Sequence, residues 1–280
     1  MDERTFIRYL AAKKTVDDRS LNGRVWESMT ALLAGRAPRV LELGAGIGTM
    51  VEREAARPGG LRPASWALLD SQPALLHEAR RRLAGRIPFE TRFLETDVEG
   101  FLAGCSERFD LVLAHAFIDL FDPGRLLPGI RRLADPSGCL LFTVSFDGLS
   151  AWEPEIDAEL DARIVRLYHR TMDERITAGK PSGDSRAGRH LLTLLPGLGC
   201  RVEEAGASDW VVYPKDGSYP ADERFFLSCI LGFFEESLSG RSELDRGDLG
   251  RWLQTRRAQL ESGRLVFIAH QLDVLAAAED

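Results

Sequence analysis

Val40-Leu41-Glu42-Leu43-Gly44-Ala45-Gly46-Ile47-Gly48-Thr49 is the stretch whose reading decides the fold. Val40, Leu41 and Leu43 are apolar and β-competent, so it opens as a buried strand. Three glycines at alternate positions let the backbone turn sharply and approach a ligand with no Cβ in the way. Thr49 to Ala56 follows at helical spacing and brings unpaired N–H groups near the turn. A strand, a glycine turn and a helix at the start of an α/β unit take a nucleotide-type ligand. The spacing then narrows the ligand. A dinucleotide fingerprint runs G-x-G-x-x-G, whereas here the order is G-x-G-x-G and Thr49 stands where the third glycine would fall. Glu42, two residues before Gly44, suits a positive group such as an amine or sulfonium better than a diphosphate. An NAD-dependent oxidoreductase is therefore disfavoured.

Downstream, the strand–helix rhythm repeats. Ser65 to Asp70 reads as a second buried strand, and Pro73 opens the next helix with Leu75, Leu76, Ala79 and Leu83 inward. Phe89 to Asp97 is a third strand, again ending in an acid. Phe109 to Phe117 is the fourth strand and its exit, and Cys139 to Phe146 the fifth. Five strands with intervening helices specify a parallel sheet, and ligands bind beyond its carboxyl ends at the switch point between the first and fourth strands.

At Glu42-Leu43-Gly44-Ala45-Gly46-Ile47-Gly48 the chain matches every fixed position of E/D-x-G-x-G-x-G, and there it resembles the class I S-adenosylmethionine (SAM)-dependent methyltransferases. Asp70, Asp97-Val98 and Phe109-Asp110-Leu111-Val112 resemble that family's later motifs in order. The resemblance implies SAM as cofactor. Glu42, Gly44, Ala45 and Gly46 would hold its methionine end. Asp70, with Ser71, would accept from the ribose diol, and Asp97 with Val98 would take the adenine. Ala114 and His115 would lie beside the methionine part. No N-P-P-Y or D-P-P-Y stands at the fourth strand exit, which sets aside methylation of base amines and glutamine. Residues 1–38 would be an N-terminal helical lid, with helices over residues 2–14 and 24–34 and a polar break at 15–23. Two readings of Arg19 stand: a contact to the cofactor carboxylate, or part of a solvated turn.

The expected fold is a seven-stranded, mostly parallel, doubly wound (Rossmann-like) α/β sheet with helices on both faces, the N-terminal lid, and helical insertions after strands 5 and 6. Residues 1–280 would form a single domain. Within it, 39–148 would be the SAM-binding core, 149–183 a helical insertion, 184–214 and 263–280 the rest of the core, and 215–262 a substrate cap. A helix from Glu153 to about Ala178 is predicted on the spacing of Ile156, Leu160, Ile164, Leu167, Tyr168, Met172 and Ile176.

The bulk numbers fit this. The chain has 280 residues, enough for a sizeable core, and a formal net charge of −7, which argues against a nucleic-acid backbone as partner. Four scattered cysteines offer no metal spacing and no disulfide framework, and no metal is expected. No apolar run is long enough to span a membrane, and no signal-like run opens the chain, so a cytoplasmic protein without a membrane partner is expected. A homodimer is compatible with all of this.

Methyl transfer from a sulfonium is an in-line displacement that needs positioning and, for O–H or N–H acceptors, a base. His115 and His169 are the catalytic candidates, with His190 and Asp119 behind them; for His115 the alternative is that it only packs against the cofactor. Phe117, Tyr168, Arg186, His190, Trp210 and Phe226 are the candidate acceptor-binding residues, suited to a small apolar or aromatic molecule. Two functions remain open. One is a small-molecule methyltransferase, O- or C-directed. The other is a catalytically inactive, methyltransferase-like SAM-binding protein with a regulatory or assembly role.

Overall fold

The computed structural model describes residues 1–279. Two helices, α1 (Glu3–Ser20) and α2 (Gly23–Leu32), precede the sheet. The alternating part follows: β1 (Arg39–Leu43), α3 (Thr49–Ala56), β2 (Ser65–Asp70), α4 (Pro73–Leu83), β3 (Glu90–Glu95), α5 (Val98–Gly104), β4 (Phe109–His115), α6 (Pro123–Leu133) and β5 (Ala134–Glu153). The later part holds α7 (Ala158–Asp173), a small hairpin of β6 (Ile176–Thr177) and β7 (Lys180–Pro181), α8 (Ala187–Gly197), β8 (Cys200–Ala207), β9 (Trp210–Val212), α9 (Glu223–Leu238), α10 (Arg246–Glu261) and β10 (Val266–Ala278).

Seven strands form the central sheet in the order β3-β2-β1-β4-β5-β10-β8, and the short β9 pairs with β10 beside that path. The first five are mutually parallel. β10 runs antiparallel to β5, β8 and β9. Reversal of the strand order at β1 and β4 opens a crevice at their carboxyl ends. This is the expected doubly wound α/β sheet. One face is covered by α2, α3 and α4 through Trp26, Met50 and Leu76, the other by α5, α6 and α8 through Leu102, Leu127 and Leu191. A third apolar cluster lies over the sheet's carboxyl edge. There α1, α7, α9 and α10 pack around Trp152, Phe226, Phe234 and Trp252. Buried Arg256 ties α10 to α7 by donating to Asp161 Oδ1 at 2.6 Å. Among the described residues no helix is long and apolar enough to cross a membrane.

Three boundaries differ from the sequence-based expectation. α1 does not break after residue 14 but runs to Ser20, because Lys13 and Asp17 are buried and paired on its inner face. β5 continues past Phe146 to Glu153, held by a long antiparallel ladder to β10. The predicted helix across 153–178 is confined to Ala158–Asp173. Asp157 caps its start, and the residues after Asp173 leave it for the β6–β7 hairpin.

Gly48 is the N-cap of α3 at φ +78°. A Cβ there would stand 3.1 Å from Leu83 Cδ1 and 3.3 Å from the Ala79 methyl. Gly48→Ala is therefore expected to lower stability by about 1–3 kcal/mol, read as a lower denaturant midpoint at unchanged slope. An unshifted midpoint would mean that the turn tolerates a side chain.

Candidate functional site

A cavity of about 790 Å³ opens at the carboxyl ends of β1 to β5 under the third cluster. That volume suits a cofactor together with a small second ligand. Its floor is the glycine turn, Gly44 to Ile47. A Cβ on Gly44 would lie 2.1 Å from the ring of Phe117, so that ring rests directly on the turn. Gly44 and Gly46 both have positive φ, at 66° and 53°. Ala116 and Val144, at the exits of β4 and on β5, also carry positive φ and also line the cavity. Strain in non-glycine residues collects at functional edges, and here it shapes the lip where β4 and β5 leave the sheet.

The wall beside the turn is acidic. Asp70 Oδ2 accepts from Gly46 N–H and its Oδ1 from Gln72 N–H, both at 2.9 Å. Each oxygen keeps a lone pair, so a ligand diol still finds acceptors. Burial raises the Asp70 carboxyl above its usual range, against the lowering effect of those N–H groups. Asp97 caps α5 by accepting from Gly100 N–H at 2.8 Å and lines the far end with Val98. Glu42 is almost fully buried and accepts from Trp66 Nε1 at 2.9 Å. Burial pushes its carboxyl up to about 8. Such a group is poised to release its proton to solvent when a cation binds beside it. Glycines without Cβ, diol acceptors on Asp70 and an acidic wall together fit SAM, a cationic nucleoside.

The lid closes on a buried carboxylate. Asp17 of α1 accepts at Oδ2 from Lys13 Nζ at 2.9 Å, His115 Nε2 at 3.0 Å and Arg53 Nη2 at 3.3 Å, and at Oδ1 from Trp210 Nε1 at 2.9 Å. Burial opposes its charge, but Lys13, His115 and Arg53 hold its carboxyl far below the usual range. Because Asp17 stays an acceptor, the His115 proton sits on Nε2, and Nδ1 accepts from Thr143 Oγ1 at 2.9 Å. Burial pulls His115 down to about 4, with Lys13 adding to the shift and Asp17 opposing it. Both ring nitrogens of His115 are occupied, although the ring lines the cavity.

Of the residues singled out from sequence, Glu42, Gly44, Ala45, Gly46, Asp70, Ser71, Asp97, Val98, His115, Phe117, Tyr168 and Trp210 line this one cavity. Six lie outside it. Arg19 points away and forms an ion pair with buried Glu223 of α9, its Nη2 3.0 Å from Oε2. His169 turns toward Ser150, with Nε2 3.0 Å from Oγ, and burial lowers it to about 4. His190 pairs with Asp184 at 2.5 Å, and Arg186 is exposed beside Gly148. Phe226 is fully buried in the cap, stacked on Tyr9. Ala114 is sealed between β1 and β5. Lys13, Asp17 and Arg175 also line the cavity, beyond the residues expected from sequence. A signal for the first two existed: Phe6, Leu10, Lys13 and Asp17 follow helical spacing, so two charges sit on an apolar stripe.

Residues 40–138 match a family model described as a methyltransferase domain. Malonyl-[acyl-carrier protein] O-methyltransferase of Paenibacillus sp. (strain JDR-2) is 28% identical over 174 residues, which cover 60% of this chain and 53% of that one. The biotin biosynthesis bifunctional protein BioCD of Bordetella avium (strain 197N) is 30% identical over 196 residues, 64% of this chain and 39% of that one. The chain thus matches about half or less of the length of these curated relatives. In fold it is similar to a structure from Bacillus halodurans C-125 (TM-score 0.56, 16% identity, 92% of this chain and 100% of that one). It is also similar to the YcgJ protein of Bacillus subtilis (TM-score 0.52, 13% identity, 92% of this chain and 100% of that one).

Two outcomes follow from this geometry. Asp17→Ala leaves buried cations without their anion and is expected to cost about 3–5 kcal/mol, seen as a large drop in the thermal midpoint; an unchanged midpoint would show that the lid is not held by this carboxylate. At pH 7 Glu42, standing at about 8, is mostly protonated, whereas its ordinary value of 4.5 would leave it ionised. A cation bound beside it lowers that value again. SAM binding at pH 7 is therefore expected to release protons, so that calorimetric heats depend on buffer ionisation enthalpy and Glu42→Gln removes the dependence. Heats independent of buffer in the parent chain would refute the linkage.

Proposed function

We propose, from the class I S-adenosylmethionine-dependent methyltransferase domain that residues 40–138 form, that the whole chain transfers a methyl group from SAM to a small-molecule or acyl acceptor, with oxygen or carbon as the receiving atom. The observation that carries this is a single cavity joining the acidic glycine-turn wall to an aromatic lobe of Tyr168, Phe233 and Phe234. One end suits a cationic nucleoside and the other an apolar body, which is what two reacting ligands held face to face require. The names of the curated relatives support an oxygen acceptor on an acyl group as one member of the class.

When bound, SAM supplies an activated methyl on a sulfonium. The chain's own residues then have positioning to do. Gly44 to Gly46 and Asp70 would hold the nucleoside and amino-acid parts, and Asp97 with Val98 would border the base. Phe117 bounds the space over Gly44. The α1 helix, latched by Asp17, covers the site and lowers its effective dielectric. For His115 the geometry supports a positioning role, because it links β4 to α1 and has no free nitrogen toward the cavity.

Titration calorimetry with SAM, with NAD as the control, tests the reading. Heat is expected with SAM and none with NAD, and Asp70→Ala should weaken SAM binding roughly tenfold or more, since bonds to a charged acceptor are worth about 1.5–3 kcal/mol. The absence of heat with SAM would overturn the proposal. His115→Ala is expected to weaken SAM binding as well as turnover, because it loosens α1; a loss of turnover alone would return the base role to His115.

A further inference from the structure

Two side-chain oxygens on the cavity wall are buried with no hydrogen-bond partner: Asp119 Oδ1 and Gln271 Oε1. An orphaned buried acceptor costs about 1–3 kcal/mol, so each needs a donor from the cavity it lines. Gln271, on β10, is 2% exposed and sits opposite Phe146 of β5. Asp119 belongs to the short 3₁₀ turn Ile118–Leu120 just after β4. Its carbonyl accepts from Asp184 N–H at 3.0 Å, which anchors the turn. It stands two residues past Phe117, whose ring lies on Gly44. Asp119 thus follows the residue that rests on the glycine turn and also acts on the Tyr168 phenol of the aromatic lobe.

The other carboxylates of the cavity are engaged. Asp17 holds the latch, Glu42 takes Trp66, Asp70 takes two backbone N–H groups, Asp97 caps α5, and Glu99 pairs with Arg125. The charged and titratable groups that face Asp119 are Arg175 and Lys13, which lower its carboxyl, Asp184, which raises it, and the phenols of Tyr168 and Tyr9. Burial dominates and places it at about 6. A carboxyl there is largely ionised at pH 7 yet basic enough to take a proton.

Resting on the methyltransferase reading above, we propose that Asp119 Oδ1 accepts the proton of the acceptor's reacting hydroxyl, that Gln271 Oε1 receives a second hydrogen bond from the same molecule, and that the acceptor is a neutral alcohol or phenol. The step itself selects it: a carboxylate has no proton to give to Asp119, and an ammonium has no lone pair with which to attack the methyl carbon. In the step, the acceptor oxygen forms a bond to the methyl carbon as the carbon–sulfur bond breaks. The bonding pair goes to sulfur, and the hydroxyl proton goes to Asp119 and from there to water.

The full chain is assayed with radiolabelled SAM and three probes: catechol, 1-naphthol and malonyl coenzyme A. Transfer to catechol or 1-naphthol is expected, with kcat rising through about pH 6. Asp119→Asn should lower kcat on the order of 100-fold, flatten the pH profile and leave calorimetric SAM affinity and the thermal midpoint unchanged. Gln271→Leu should raise KM for the same probe more than it lowers kcat. Transfer to malonyl coenzyme A alone, transfer to none of the three, or an Asp119→Asn variant with parental kcat and pH profile would overturn the inference. Failure of SAM to bind would instead overturn the methyltransferase reading, so the two failures are distinguishable.

Discussion

The architecture over the active edge depends on Asp17, a carboxylate with almost no exposure that is shared among four donors. Those donors come from α1 itself, from α3, from β4 and from β9. One anion therefore joins the N-terminal helix to the first βα unit, to the switch-point strand and to the distal end of the sheet. Two charges out of water are expensive unless the geometry is good and the remaining valences are filled. Here Trp210 fills the second oxygen and Thr143 completes His115. The same arrangement explains why His115, despite its place beside the glycine turn, is not free to act on a ligand.

How the cavity forms follows from where strain is stored. The parallel sheet alone would leave a shallow crevice beyond β1 and β4. β5 and β10 extend past that edge as a paired ribbon, and α1, α7, α9 and α10 close over it. Ala116 and Val144 adopt left-handed backbone at the point where these layers meet. Val144 is β-branched, for which that region is an outlier. Its N–H is fixed by buried Asp273 at 2.8 Å, and the same carboxylate accepts from Asn22 N–H at 2.8 Å. Buried acids on α1 and β10 thus hold both the helical lid and the strained lip.

Much of this was legible in the chain, for identifiable reasons. Glu42, Asp70 and Asp97 each stand at or within two residues of the carboxyl end of a strand, just before a turn or helix, so period and position agree. The parallel order followed from the strand–helix rhythm. The α1 boundary was missed because Thr15, Asp17 and Asp18 are poor helix residues, and tertiary pairing overrode propensity. Propensity alone puts Arg19 in the same polar break; as part of a helix it faces α9 and meets Glu223. The hairpin after α7 was hidden because Met172 and Ile176 keep helical spacing across the break, although Ile176 is exposed. Asp119 carried a weak signal, since nothing in a sequence shows that an oxygen will be buried without a partner.

Charge divides the cavity into two solvents. On the sheet side, Asp70 and Asp97 accept from backbone N–H groups and Glu42 from the Trp66 indole. On the cap side, aromatic rings dominate and the remaining charges are set against one another around Asp119. In a site of low effective dielectric, such an asymmetry matters more than in water. A ligand that enters with a positive sulfonium is favoured by the acidic wall. Once the methyl has left, the sulfide is neutral and the sulfonium's share of that attraction is gone, while the amino-acid ammonium and the ribose and base are unchanged. The wall therefore discriminates between donor and product by charge alone.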